Sequence, residues 1–507
     1  MPPPPLILIE GNAVSLAWGK AVVNSAGKVA KQYAEVYNST VIHFTLDLWR
    51  RDMQSKENEL GTRPVGRLLF SLALPAITAQ VVNVLYNMVD RMYIGHIPVV
   101  GATALTGLGV TLPVILLVSA FATLASMGGA PRASIMMGKG RKEDAERILG
   151  NCTMALVVMA VLLTAVILIF GREALLIFGA DQETIGYAWD YLAIYALGTI
   201  AVQVALGLNA FITAQGFSRT SMLTVLIGAV LNIILDPVFI FALNMGVRGA
   251  ALATILSQAV SAVWVVRFLT GKKTHLRIRA SYLRISAKVY LPCVALGLSP
   301  FIMQFTESVL YVCFNSSLLR YGGNLAVGAM TILSSVMQFS LLPLQGLTQG
   351  AQPIVSFNYG AGNRDRVRAC FRMLIVVCTA YSVALWALAM LTPQLFAAIF
   401  TSDPALRDMT VHALRIYMGA TGLFGIQLGC QQTFVAMGNA KTSVFLALLR
   451  KVFLLIPLIF ILPCFLPNKV DAVFLAEPIS DFIAVCVTGT MFYRSFSRYL
   501  KESPQSA

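Results

Sequence analysis

Apolar residues run along this chain in long stretches separated by short breaks of glycine, proline and charge, and the length of the stretches decides the fold. Twelve can be delimited: 65–94, 101–128, 146–170, 184–214, 219–243 and 249–270, then 287–319, 325–357, 364–391, 405–436, 441–465 and 471–493. Each reaches about 20 residues or more, enough for an α-helix to cross a bilayer and too long for a barrel strand of about ten. Hydrocarbon offers no water to a bare N–H or C=O, so each segment must close its hydrogen bonds within itself. The expected fold class is an all-α polytopic membrane protein with twelve transmembrane helices, spans 1 to 12.

The pattern repeats. A displacement of 222 residues lays Gly128-Gly129-Ala130-Pro131 on Gly350-Ala351-Gln352-Pro353 and Ser134 on Ser356, without a gap. At the same offset Gly138 and Gly140 fall on Gly360 and Gly362, Tyr195 on Tyr417, and Gly216 on Gly438. We read the Gly/Pro runs as turn positions. Six spans separate the copies, an even number, so matched helices run in the same direction. The halves are then two six-helix lobes in a parallel pseudo-two-fold repeat, about an axis along the membrane normal, with the pathway between them.

Composition supports this and charge orients it. Hydrophobic residues are 57% of 507, charged residues 12%, and mean hydropathy is +0.75, so the solvent is a lipid bilayer. A net charge of +15 in a soluble chain would suggest nucleic acid, but here it reads as loop charge, and no nucleic-acid partner is expected. Lysine and arginine gather around the loops after even-numbered spans (Lys139, Arg141, Lys142, Lys272, Lys273, Arg277), whereas the odd loops carry Arg172, Arg248, Arg320, Arg407 and Lys469. Both termini are therefore expected in the cytoplasm of a bacterial cell, with the protein multi-pass in its inner (cytoplasmic) membrane. The organisation expected is a 1–62 extension and cytoplasmic leader, disordered or from a misassigned start, an N-lobe at 63–266 and a cytoplasmic linker at 267–288. A C-lobe at 289–495 and a cytoplasmic tail at 496–507 complete it. The eight cysteines are scattered singly, without a CxxC or Cys/His cluster, and read as packing residues.

Acids inside apolar spans are costly and usually have a task. Five lie there: Asp90, Asp236, Glu307, Glu477 and Asp481. In span 1, Asn83, Tyr86, Asn87 and Asp90 recur at spacings of three and four and share one face, and Pro75 can kink the helix. The alternative, a surface pair of Asp90 with Arg91, is weakened because adjacent residues do not face each other on a helix. In span 5, Asn232 and Asp236 are an i, i+4 pair, and Pro237 frees a carbonyl one turn earlier. These are hard oxygen ligands suited to Na⁺, or to a protonatable carboxyl, unless they form only a structural bond at a kink. Glu307, beside Met303, Gln304, Phe305 and Tyr311, suits an organic cation, or else a packing hydrogen bond. Asp481 and Glu477 are read as structural partners for Arg450 or Lys451 of span 11. No buried histidine accompanies these acids, and no convergent nucleophile or metal set suggests an enzyme.

These segments together resemble the multidrug and toxic compound extrusion (MATE) family, in particular its MepA-type bacterial branch. The resemblance covers about residues 64–495 and rests on Leu74-Pro75, Tyr86-Asn87-Met88-Val89-Asp90-Arg91-Met92-Tyr93-Ile94-Gly95, Gly107-Leu108-Gly109-Val110-Thr111, Leu231-Asn232-Ile233-Ile234-Leu235-Asp236-Pro237, Gln349-Gly350-Ala351-Gln352-Pro353 and Pro478-Ile479-Ser480-Asp481. It implies alternating access between two lobes and multidrug efflux: antiport export of small organic cations, xenobiotics and antibiotics among them, against H⁺ or Na⁺. The only cofactor expected is that coupling ion. It also implies a cation-coupling set of Asp90, Asn232, Asp236 and Thr254, which would be the metal ligands under Na⁺ coupling. Substrate contacts are expected at Tyr86, Asn83, Asn209, Glu307, Gln304 and Met303, with Pro75 as hinge, in a monomer. Span 10 departs from some branches, since Gly419 to Ala436 contains no acid. The rival within the superfamily is a lipid-linked oligosaccharide flippase, which would place basic residues in its cleft.

Overall fold

The structure, a computed structural model, describes residues 59–501 apart from Ser402. The expectations for residues 1–58 and 502–507 lie outside the described residues. Among those described there is no strand. Span 1 is Val65–Gly95, span 2 Gly101–Gly138, span 3 Lys142–Ile177 and span 6 Gly246–Thr270. Span 4 is Ile185–Leu197 continued by Thr199–Ala214, with a bend of 59° between them. Span 5 is Ser218–Pro237 widening into a π-helical turn at Val238–Ala242. Spans 7 and 8 form one run, Ala287–Gly360, broken at Gly323 (φ 65°, ψ −162°). Span 9 is Arg364–Leu391. Span 10 is Pro404–Tyr417, a 3₁₀ turn Thr421–Leu423 and Phe424–Ala436. Span 11 is Ala440–Leu448, a π segment Leu449–Leu455 and Ile456–Phe465, and span 12 is Lys469–Lys501.

By length and composition eight of the described helices could cross a membrane, nine with bent span 4. The 74-residue run contains two spans, span 10 is interrupted, and span 12 carries Glu477 and Asp481. Twelve spans in two lobes result. The repeat is visible in the backbone: Gly140 and Gly362 have φ of 75° and 73°, and Gly216 and Gly438 have 92° and 77°. Both pairs are related by the 222-residue offset, and each takes the left-handed conformation that closes a helix.

One sequence expectation is corrected. Gly128 to Pro131 and Gly350 to Pro353 are not turns; they lie inside spans 2 and 8. A Cβ on Gly128 would strike the backbone of Cys293 in span 7, and one on Gly350 the backbone of Ala73 in span 1, so these two are close-approach positions across the repeat. A Cβ on Gly138 would strike the backbone of Phe357, and one on Gly360 the backbone of Ile135, again related by the repeat. Only hydrogen fits there, so the two backbones touch across the pseudo-axis.

Each lobe lends the other the start of a helix. Leu68, Leu69, Leu72 and Ala73 of span 1 belong to the C-lobe core, and Cys293 of span 7 to an N-lobe core. Gln80 donates to Gln349 (3.2 Å), Thr123 to Gln304 (3.2 Å), and Ser134 to Pro353 O (3.4 Å). All these contacts lie in the halves of the spans nearer the lysine- and arginine-rich loops. The N-lobe core at the opposite end, from Ile94 to Ala251, draws on N-lobe residues alone. The linker is no loose tether. Leu276 is fully buried, Thr274 and the Leu276 N–H share Gln215 Oε1 (2.8 Å each), and Arg279 pairs with Glu146 (2.6 Å).

Candidate functional site

Span 1 brings Asp90 and span 5 brings Asn232 and Asp236 to one buried place in the N-lobe. Asp90 is 8% exposed, Asn232 2% and Asp236 0%, and the two carboxyl groups lie close enough to interact electrostatically. Asn232 Nδ2 donates to Asp236 Oδ1 at 3.1 Å and to Thr254 Oγ1 of span 6 at 3.4 Å. No ion pair joins Asp90 to Arg91 among the described residues, and the Arg91 side chain is exposed. Asp90 Oδ1, Asp236 Oδ2 and Asn232 Oδ1 are buried without a hydrogen-bond partner. Three orphaned oxygens from two acids and an amide, with a hydroxyl beside them, fit a hard monovalent cation or protons, because either would satisfy them. The π turn begins at the residue after Pro237, where the missing N–H lets the helix widen beside Asp236.

The remaining N-lobe candidates are arranged around this pair. Tyr86 is one turn before Asp90 and within its electrostatic reach. Asn87 donates to Asn83 O at 2.7 Å, so the polar face is knitted along span 1. Asn209 donates to Ser221 O at 3.2 Å and so ties span 4 to the start of span 5, away from the acids. Pro75 is buried in span 1 at the level where that helix enters the C-lobe core. One residue escaped sequence reasoning: Tyr191 of span 4, buried and close to Thr254 and Asp90. It stacks on Tyr195 (6.2 Å), which the repeat had flagged through Tyr417.

The C-lobe holds a different constellation. The π segment of span 11 presents Arg450 to span 12 and Lys451 to span 7. Arg450 pairs with Asp481 (2.6 Å) and Glu477 (3.4 Å) of span 12 and lies 4.9 Å from the Phe424 ring centre. Lys451 pairs with Glu307 of span 7 at 2.9 Å. Glu307 is therefore neither an isolated acid nor a neutral packing donor; it already has a cation. Gln304 is engaged across the lobes with Thr123, and Met303 Sδ accepts from Gln431 Nε2 at 3.1 Å. Spans 5 and 11 are repeat counterparts, so each lobe carries its π segment on the equivalent helix, next to its charged groups.

Two six-helix lobes joined at their basic ends, with buried acids in apolar spans and a pseudo-axis between them, define a polytopic membrane transporter. The MatE family model matches residues 75–238 and 300–461, one copy in each lobe. The chain belongs to the MatE family. Among curated relatives it is similar to the multidrug export protein MepA of Staphylococcus haemolyticus, 24% identical over 423 residues, covering 83% of this chain and 92% of that one. MepA of Staphylococcus aureus is 24% identical over 404 residues, covering 79% and 87%. Among solved structures, one described as MATE in the bent conformation aligns with TM-score 0.83 at 22% identity, covering 88% of this chain and 99% of that one. Another, described as the outward-facing conformation of a multidrug resistance MATE family transporter, gives 0.80 at 22% identity and the same coverage. The structural likenesses establish the fold.

Proposed function

We propose that the chain is a multidrug exporter of organic cations, working by antiport with H⁺ or Na⁺ through alternating access. The observation that carries this is the Asp90/Asp236 pair: two buried carboxyls close enough to interact, one oxygen of each unpartnered, and, among the described residues, no ion pair to either. Such a pair demands protons or a metal cation, and occupancy changes its charge. Asp90 and Asp236 sit on different helices, so filling the site draws spans 1 and 5 together, and emptying it separates two like charges. Asn232 holds Asp236 in place and Thr254 supplies the hydroxyl. Under Na⁺ coupling these four residues would be its ligands.

The same reading places the basic ends and both termini in the cytoplasm of a bacterial inner membrane, with a monomer as the working unit. The inter-lobe contacts then close the cytoplasmic side. The flippase alternative loses its support in the cleft, because Arg450 and Lys451 are neutralised by carboxylates. The test is drug-driven ion flux in proteoliposomes. Asp90→Asn and Asp236→Asn should each abolish coupled H⁺ or Na⁺ movement while the protein remains folded. Full coupling in both variants would overturn the reading.

A further inference from the structure

The C-lobe charges do not balance. Glu307, Glu477 and Asp481 face Arg450 and Lys451, which leaves one carboxylate in excess. The two cations are held very differently. Arg450 is gripped by both span 12 acids and the Phe424 ring, and its own carbonyl accepts from Ser480 Oγ at 2.8 Å. Lys451 has one ion pair, with Glu307, and that pair is lopsided: the lysine side chain is 6% exposed and the glutamate 51%. Glu307 lies one helical turn beyond Gln304, the last span 7 residue seen to hydrogen-bond across the lobes, so its open side lies where the lobes part. Tyr311, one turn further on and exposed, shares its face of the helix and lies in its electrostatic reach. Lys451 also lies in the electrostatic field of Glu477 and Asp481.

We propose that Lys451 is a resident counter-ion that holds the place of the exported cation at Glu307 and sets the charge the site accepts. A guest cation takes the open side of Glu307, Lys451 turns its ammonium to the Glu477 and Asp481 carboxylates, and its return to Glu307 expels the guest. A lysine suits this exchange: it is a point charge on a flexible four-carbon stem, whereas the planar fork of Arg450 stays on its partners. Counted by formal charge, the cluster favours one class of guest. One positive charge brings three carboxylates and two cations to neutrality, and a second would leave an excess in a poorly solvated place. The site is therefore built for monovalent organic cations, and the Tyr311 ring adds cation–π attraction. Competition with Lys451 weakens binding and speeds release, since the guest gains only the difference between its own contacts and those the lysine gives up.

The proposal rests on the export reading, and the experiment separates the two. Equilibrium binding of tetraphenylphosphonium to the purified full chain in detergent is the probe, with thermal melting as the folding control. Lys451→Met should tighten binding about tenfold, as expected for removal of a competing charge near a partly buried acid. In liposomes the same variant should lower KM and kcat together, because nothing returns to expel the guest. Glu307→Gln, which keeps the lysine and is milder to the fold, should weaken binding about tenfold. In the Glu307→Gln background, Lys451→Met should no longer tighten it. If Lys451→Met fails to fold, the Glu307→Gln result decides: unchanged binding overturns the proposal. Overturning it equally are wild-type binding indifferent to Lys451, or tightening that persists without Glu307. No saturable binding to the wild type would overturn the export reading and this proposal with it.

Discussion

A buried charge is stabilised only by what touches it, and the two lobes solve that problem in opposite ways. The N-lobe acids have each other and an amide; the C-lobe acids have arginine and lysine. Arg450 therefore should be the most sensitive side chain in its cluster. Arg450→Met leaves Glu477 and Asp481 buried without their fork, a loss of about 3–5 kcal/mol, whereas Asp481→Asn keeps one acid on the guanidinium and should cost less. Thermal melting in detergent reads both, and equal losses would argue against Arg450 as the organiser of the cluster. At this scale the sequence was legible where spacing along one helix carries the information. Asn83, Tyr86 and Asp90 share a face by period alone, and Asn232 reaches Asp236 across one turn. Between the neighbouring spans 11 and 12 it also offered Arg450 or Lys451 as partners for Asp481 and Glu477, but it was silent on pairs from helices far apart in the chain. Lys451 and Glu307 are 144 residues apart, and their repeat counterparts, Ala229 and Leu85, carry no charge to hint at the pair. Tyr191 was missed for the same reason.

Helices were legible because lipid removes the need for a polar face, leaving runs that no other element could occupy. What misled was chemistry that means one thing in water and another in a bundle. Glycine and proline end helices in solution, yet here Gly128 to Pro131 pack inside span 2, because small residues let backbones touch. The basic linker was read as a sidedness signal, and it proves to be a strap folded onto the N-lobe. Its docking should depend on pH. His275 stacks on Phe217 at 5.0 Å, and burial, aided by nearby Lys142, pushes its ring below the ordinary histidine value of 6.5. A histidine kept neutral when docked and free to protonate when undocked binds more protons in the undocked state. The strap is thus most secure above pH 6.5 and loosens as pH falls below it. Amide hydrogen exchange over residues 272–284 should quicken between about pH 7.5 and 5.5 beyond the intrinsic rate change, and His275→Phe should remove the extra step. Exchange that follows intrinsic chemistry alone would rule the histidine out.

For the whole molecule, the seam at the basic ends has to open if the lobes alternate. It is dense: Arg366 of span 9 donates to Leu60 O (3.0 Å) and Arg63 O (2.7 Å), so the segment before span 1 is latched to the C-lobe. Leu60 is 2% exposed and packs toward Gly216 of the N-lobe. The thiols of Cys152 in span 3 and Cys293 in span 7 lie close together, from opposite lobes of the repeat. A cross-link there would join the lobes in the conformation described, and a transporter held in one conformation cannot exchange substrates across the membrane. A variant retaining only these two cysteines should transport normally when reduced. Oxidation with copper phenanthroline should cut export at least about tenfold, since a covalent tie shifts the equilibrium far beyond any ligand, and dithiothreitol should restore it. Either single-cysteine variant should be indifferent to the oxidant. Transport that continues at full rate in the quantitatively cross-linked protein would mean that spans 3 and 7 move as one body, and the opening at the basic end would have to be sought between other helices, first between spans 2 and 8 at Gly138 and Gly360.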